Sequence, residues 1–227
     1  MKNKLLSNFH LYKEKAIPMK ISVIMASFLN MPGRDKLEAK FKRAVTSFLK
    51  QTHEDKELII VADGCEKTMQ IYNESFTQYE NIKLIPIPKQ PLYSGVMRNI
   101  AYEVSDGDIV TYLDADDVIG KNHLKIISEQ FDTDKWDAVY YNDLMVLDKD
   151  FQKLHTRIVE PRYGSIGTSS ISHKNPKLLK NGEYLKFSTG YGHDFVFFLK
   201  IAALGYRFKK LDKMPEYIVA HYHGADF

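Results

Sequence analysis

Two hydrophobic periods alternate along this chain. The runs Ile21-Ser22-Val23-Ile24-Met25-Ala26, Glu57-Leu58-Ile59-Ile60-Val61, 82–87 and Ile109-Val110-Thr111-Tyr112-Leu113 are rich in branched and aromatic residues. Such runs predict buried strands, because these side chains fit a pleated, covered surface. Between them the period lengthens. Leu37, Phe41, Ala44, Val45, Phe48 and Leu49 recur at helical spacing, which predicts a helix with one apolar face. Further helices are expected over 67–76 and 95–104. Strand–helix alternation calls for a mainly parallel sheet with helices on both faces. Ligands of such sheets bind outside the carboxyl ends of the strands. Ser27-Phe28, Asp63-Gly64, Pro88-Lys89 and Asp114-Ala115-Asp116-Asp117 lie at those ends.

The second half reads differently. A strand is expected over 138–142. Two more, 144–147 and 153–159, flank Asp148-Lys149-Asp150 as a hairpin. The polar, glycine-bearing stretch 164–172 predicts a loop or an edge strand. A short apolar helix over 195–204 and closing strands over 206–211 and 216–221 follow. No linker separates the halves. The expected organisation is a basic extension over 1–19 and one domain over 20–227, with lobes 20–118 and 119–227.

Composition narrows the class. With 227 residues, 44% hydrophobic and 27% charged, one substantial core is expected and a disordered chain is excluded. The single cysteine, Cys65, excludes a disulfide framework and a cysteine-rich zinc module. Thirty-two basic against 29 acidic residues give a net charge of +3, so nothing points to nucleic acid. No apolar run approaches the roughly 20 residues that span a bilayer. Asn8, His10 and Lys13 interrupt the opening stretch, which therefore does not read as a signal peptide. It reads as a solvated extension, with peripheral membrane contact through Leu5, Leu6, Phe9 and Leu11 as the alternative. A soluble, cytoplasmic protein is expected.

The chemistry concentrates at the strand ends. Three carboxylates in four positions, Asp114, Asp116 and Asp117, crowd like charge after an apolar strand. A divalent cation, Mg²⁺ or Mn²⁺, relieves that crowding, since both prefer carboxylate oxygens and often share phosphates with a substrate. Capping of a helix over 121–131 explains one of the three and not the set. Asp63 is either a turn residue or an acceptor for the N–H edge of a base or a ribose hydroxyl. Phe28 is either core packing or a face on which a base stacks.

The segments Ser22-Val23-Ile24-Met25-Ala26-Ser27-Phe28, Ser47-Phe48-Leu49-Lys50-Gln51-Thr52, Glu57–Cys65, Arg98-Asn99-Ile100-Ala101 and Gly107–Asp117, in this order, resemble the motifs of family 2 glycosyltransferases. The resemblance implies the GT-A fold, a three-layer αβα nucleotide-binding half merged with a smaller acceptor-binding half. It also implies inverting transfer from a nucleotide-sugar, with UDP the usual donor nucleotide. Position by position, it puts Ala26, Phe28, Asp63, Arg98, Asp114 and Asp116 at the nucleotide-sugar. It puts Asp116, Asp117 and His223 at the metal, and Asp194 as the catalytic base. Three positions depart from the family pattern: Ala62 stands for a first Asp, Cys65 for a Ser, and His193 for the acidic residue before the base. His193 reads as an acceptor-site residue or a helix cap.

The implied mechanism needs one general base. A metal neutralises the leaving diphosphate, and Asp194 deprotonates the acceptor hydroxyl as it attacks the anomeric carbon. The competing reading of Asp194 is an N-cap for the helix that follows. Two rival functions remain. One is a GT-A-like domain that binds nucleotide-sugar without turnover. The other is a haloacid-dehalogenase-type phosphatase using Asp114, for which the second half offers no convincing later acidic pair. The Gln-x-x-Arg-Trp signature of processive synthases is absent, so a single addition to a saccharide or lipid-linked acceptor is expected.

Overall fold

A computed structural model describes residues 19–31, 36–91, 93–131, 135–146, 154–175, 185–211 and 216–220. Its first half is β1 (Ile21–Ser27), α1 (Leu37–Leu49), β2 (Lys56–Asp63), α2 (Glu66–Ser75), β3 (Ile82–Ile87), α3 (Gly95–Val104) and β4 (Ile109–Tyr112). The second half is β5 (Val118–Ile119), α4 (His123–Ser128), β6 (Ala138–Tyr140), β7 (Asp143–Val146), β8 (Leu154–Arg157), β9 (Ile171–Lys174), α5 (His193–Ala203), β10 (Phe208–Lys210) and β11 (Tyr217–Val219).

Seven strands form one sheet in the order β10-β6-β9-β4-β1-β2-β3. Strands β4, β1, β2 and β3 run parallel, as the strand–helix alternation requires. β9 is antiparallel to both of its neighbours, β4 and β6. A second sheet, β5-β11-β7-β8, joins the closing strand to the strand after the acidic cluster.

The helices cover the large sheet on both sides. Val23 and Met25 of β1, with Leu58 and Ile60 of β2, pack against Phe41, Val45 and Phe48 of α1. The intervening Ile24, Ile59 and Val61 pack against Met97 and Ala101 of α3 and Phe197 and Ile201 of α5. Odd and even strand positions thus serve opposite layers, and every position in β1 and β2 must be apolar or internally hydrogen-bonded. Ser22 obeys the second condition: its hydroxyl donates to Glu57 at 2.6 Å and accepts the Gly107 N–H at 2.9 Å.

The stretch 164–172, expected as loop or edge strand, is loop and a 3-10 turn, Thr168–Ser170, up to residue 170; Ile171 and Ser172 then open β9, an interior strand. Its polar residues disguised it. Ser172 donates to the Thr111 hydroxyl at 2.8 Å, and His173 Nε2 lies 2.8 Å from the Tyr112 hydroxyl. Ser170, Ser172 and His173 are all fully buried. A strand satisfied by side-chain hydrogen bonds to its neighbours carries no apolar pattern.

Candidate active site

The strand ends open onto a cavity of about 260 Å³ whose walls include Ala26, Phe28, Arg98, Asp114 and Asp116. At its edge, β2 ends in Asp63, which is buried. The Asp63 carboxylate accepts from Lys89 Nζ at 2.5 Å and from the Gln90 N–H at 2.6 Å. The same ammonium stands 4.4 Å from the centroid of the Phe28 ring. Gly64 makes this possible. Its φ is +59°, and a Cβ there would come within 2.5 Å of Lys89 Cβ. Asp63 and Phe28 are therefore adjacent, as expected of a base-binding pair, and both face one lysine.

The acidic cluster divides. Asp114 and Asp116 stay half-buried at the cavity wall. Asp117 turns inward and is 1% exposed. Its carboxylate accepts from the Tyr217 hydroxyl and from the Ala220 N–H, each at 2.9 Å. The Tyr217 hydroxyl in turn accepts the Asp114 N–H at 3.0 Å. In this geometry Asp117, expected at the metal, ties β11 to the acidic loop and does not line the cavity that Asp114 and Asp116 share. Ala115 and Asp116 form a tight turn, with the Asp117 N–H donating to the Asp114 carbonyl at 3.1 Å, and of the two neighbouring carboxylates Asp116 lines the cavity while Asp117 is buried behind it.

Burial lifts the Asp114 carboxyl above its ordinary range. Arg98 opposes the lift, and the charges of Asp116 and Asp194 add to it. The rim is thus short of positive charge, and its hard oxygen donors suit Mg²⁺ or Mn²⁺. Among the described residues, no group of three or more His, Cys, Asp or Glu side chains is placed to hold a metal alone. Two carboxylates that leave positions for substrate phosphates fit the usual Mg²⁺ arrangement. His223 and His221 lie outside the described residues.

Asp194 is reached from the other half of the chain. It occupies the first turn of α5, behind Gly192, whose φ is +80°. Its side chain makes no cap, so the N-cap reading fails. Instead Oδ1 accepts from Arg98 Nη1 at 2.9 Å and from the Thr168 hydroxyl. Burial raises its pKa, but the Arg98 guanidinium and the Thr168 hydroxyl beside it outweigh that and hold the carboxyl well below the usual range. Arg98 Nη1 also lies 2.7 Å from His193 Nε2, while His193 Nδ1 lies 3.1 Å from the Gly190 carbonyl. A guanidinium only donates, so Nε2 accepts and Nδ1 carries the proton toward Gly190. In that tautomer the 3.1 Å approach of Nε2 to Asp194 is not an ion pair.

Arg98 joins the two halves. It is 5% exposed, and its Nη2 donates to Asp114 at 3.0 Å while Nη1 donates to Asp194. Its neighbour Asn99 fixes the segment leading to α5, exchanging hydrogen bonds with the Phe187 backbone at 3.1 and 2.7 Å. Adjacent residues of α3 thus hold the acidic rim, Asp194 and the chain that delivers Asp194. Sequence reasoning put Arg98 at the nucleotide-sugar and missed both this span and Thr168. The partners lie 96 and 26 positions away from each other's motif, and Thr168 stands in the stretch that looked like loop.

A second cavity, of about 300 Å³, opens on the far side of Asp194 and His193. Tyr93, Tyr163, Tyr191 and Arg157 also line it.

A mainly parallel sheet with acidic residues at its carboxyl edge, joined to a smaller second sheet, is the GT-A architecture. Residues 22–203 match the model of glycosyl transferase family 2, and the chain belongs to that family. It is 32% identical over 115 residues to an uncharacterized glycosyltransferase of Nostoc sp., a match covering 51% of this chain and 34% of that protein. A 32% match over 89 residues to an uncharacterized glycosyltransferase of Haemophilus influenzae covers 39% and 35%. The matched stretches span about a third of these curated relatives. The fold superposes on S. aureus TarS 1-349 in complex with UDP-GlcNAc with a TM-score of 0.69, at 22% identity, over 91% of this chain and 60% of that one. It superposes on the mannosyltransferase PcManGT of Pyrobaculum calidifontis, in complex with GDP-Man and Mn²⁺, with a TM-score of 0.65, at 15% identity, over 92% and 59%. Both likenesses show the GT-A fold.

Proposed function

We propose that this protein transfers a sugar from a nucleoside-diphosphate sugar, UDP-linked, to an acceptor hydroxyl with inversion. The observation that carries the reading is the guanidinium of Arg98, which touches Asp114 in the wall of one cavity and Asp194 in the wall of the other. Donor and acceptor chambers meet at one buried residue, which is what a direct displacement requires. The UDP-GlcNAc in the TarS structure and the GDP-Man and Mn²⁺ in that of PcManGT support a nucleotide-sugar in the Asp114 cavity.

In this reading the base lies between Phe28 and Asp63, and Lys89 moves aside or onto the base. Asp116 and Asp114 would hold Mg²⁺ or Mn²⁺ together with the donor diphosphate, with His223 as a further ligand implied by the family resemblance, and the ion would stabilise charge on the leaving diphosphate. Asp194 removes the proton from the acceptor hydroxyl as its oxygen attacks the anomeric carbon. The bond from that carbon to the diphosphate oxygen breaks on the opposite face. While Arg98 grips Asp194, the carboxylate is a poor base. A diphosphate is a stronger attractor for a guanidinium than a single carboxylate, so donor binding draws Arg98 away and restores the basicity of Asp194.

Asp194→Asn tests the assignment. It keeps the shape and removes the proton acceptor, so sugar transfer falls by roughly two to four orders of magnitude. UDP affinity by calorimetry stays the same or tightens slightly. Near-normal transfer by a folded Asp194→Asn protein overturns the role of Asp194.

A further inference from the structure

Three tyrosines on the second cavity are far more exposed than their size predicts: Tyr93 at 51%, Tyr163 at 56% and Tyr191 at 80%. They are not scattered. Tyr191 meets Tyr93 edge to face at 6.1 Å between ring centroids, and Tyr163 at 6.3 Å. Tyr163 also packs on Phe195, the residue after Asp194, at 6.0 Å. The chain makes room for this arrangement. Gly192 has a φ of +80°, and a Cβ there would stand 2.7 Å from the Tyr163 ring. Any other residue at 192 would be strained and would push the ring out of the wall.

Charge decides what such a wall can hold. The cation that lines the cavity with these rings is Arg157. Asp143, itself fully buried, engages its guanidinium bidentately, with Nε donating to Oδ1 at 2.8 Å and Nη2 donating to Oδ2. That pair is neutral. Asp194 adds a carboxylate to the cavity wall. Among the described residues lining the cavity, a phosphate-bearing ligand would meet that carboxylate and no uncompensated Lys or Arg. A pyranose presents the opposite chemistry: a slightly positive face of C–H bonds for the negative faces of aromatic rings, and hydroxyls for polar groups at the base.

We propose that the Tyr93–Tyr163–Tyr191 wall is an acceptor subsite for an uncharged pyranose ring, which directs one of its hydroxyls toward Asp194. The acceptor is thus a neutral saccharide, and a phosphate group of any lipid-linked acceptor lies outside this cavity. The assignment rests on the transferase reading above.

Saturation-transfer NMR on the full chain, with and without UDP, tests it. Tyrosine ring protons are irradiated in the presence of methyl glycosides of glucose, galactose, mannose and N-acetylglucosamine, with glycerol 3-phosphate as the anionic competitor. Transfer to the C–H protons of at least one pyranoside, and not to glycerol 3-phosphate, is expected. Tyr191→Ala should weaken that pyranoside by roughly two- to tenfold, the worth of one aromatic contact, and Tyr191→Phe should restore it. The proposal is overturned by no transfer to any pyranoside, by preference for glycerol 3-phosphate, or by transfer that Tyr191→Ala and Tyr163→Ala leave intact. A UDP-induced thermal shift on the same samples keeps the two readings apart. Pyranoside failure with the UDP shift intact removes the acceptor class alone, while a missing UDP shift with pyranoside contact intact removes the donor reading alone.

Discussion

The donor side and the acceptor side of this molecule are built on different principles. The donor side rests on β1, β2 and β4, whose buried positions are mostly apolar, and the groups that line its cavity emerge where the strands end. The acceptor side rests on β9, α5 and the turn before β9, where buried polar groups do the structural work. Ser172, His173 and Thr168 are each at most 1% exposed, and each is hydrogen-bonded to a residue far away in the chain. An apolar scaffold tolerates exchange of one aliphatic side chain for another of similar volume. A polar one depends on every partner, because an orphaned buried group costs its full desolvation. Substitutions on the two sides should therefore fail in different ways.

The acidic loop offers the sharpest break, because adjacent residues belong to different systems. Asp117→Ala leaves the Tyr217 hydroxyl and the Ala220 N–H without their acceptor. Stability should fall by about 2–5 kcal/mol, from two unsatisfied buried groups, and urea unfolding reads this directly. Asp116→Ala should leave the urea midpoint nearly unchanged and remove the metal-dependent part of UDP binding, read by calorimetry with Mn²⁺ and with chelator. Equal UDP affinity with Mn²⁺ and with chelator in the unaltered protein would remove the metal from the mechanism. Equal destabilisation by both variants would mean that the loop acts as one unit.

The next effect belongs to β9. Burial holds the His173 pKa down to about 4 from an ordinary value of 6.5, with a smaller opposing contribution from the Lys174 carbonyl. The neutral ring fits its partners: Nδ1 donates to that carbonyl at 2.9 Å and Nε2 accepts from Tyr112. Between the two values the unfolded chain binds a proton that the folded chain refuses. The contribution of His173 is therefore complete above about 6.5 and declines by about 3 kcal/mol as the pH falls toward 4. His173→Gln cannot titrate, so its stability should depend less steeply on pH over that range. Parallel slopes for the two proteins would show that His173 is not the neutral buried group described here.

This difference in construction also explains what the sequence disclosed. On the donor side, 82–87 and 95–104 were readable to the residue, because apolar period and element coincide. Phe28, Asp63, Asp114 and Asp116 stood out because a parallel sheet exposes its strand ends. That Asp117 turns inward was not legible, because spacing counts carboxylates without saying which way each one turns. On the acceptor side the period disappears. β9 reads as loop because its buried residues are serine and histidine. The tyrosine wall gathers positions 93, 163 and 191 from three separate segments, and no local pattern joins them. Asp194 stood out there through a motif resemblance, and His193 and Tyr191 only as its neighbours in sequence.

The smallest effect concerns the edge of the donor cavity. Lys89 is half exposed, and a salt bridge of that kind contributes about 0.2–1 kcal/mol. If Asp63 and Phe28 receive the base, the ammonium competes for both. Lys89→Ala should then tighten UDP by no more than about fivefold, while Asp63 stays anchored through the Gln90 N–H. If Lys89 instead follows the donor and binds its phosphates, the same substitution weakens UDP and GDP alike. Calorimetry with both nucleotides separates the outcomes. A gain confined to UDP identifies Lys89 as a displaced guard of the base site. An equal loss for both moves it into the phosphate site, and the base would then be read by Asp63 and Phe28 without a competitor.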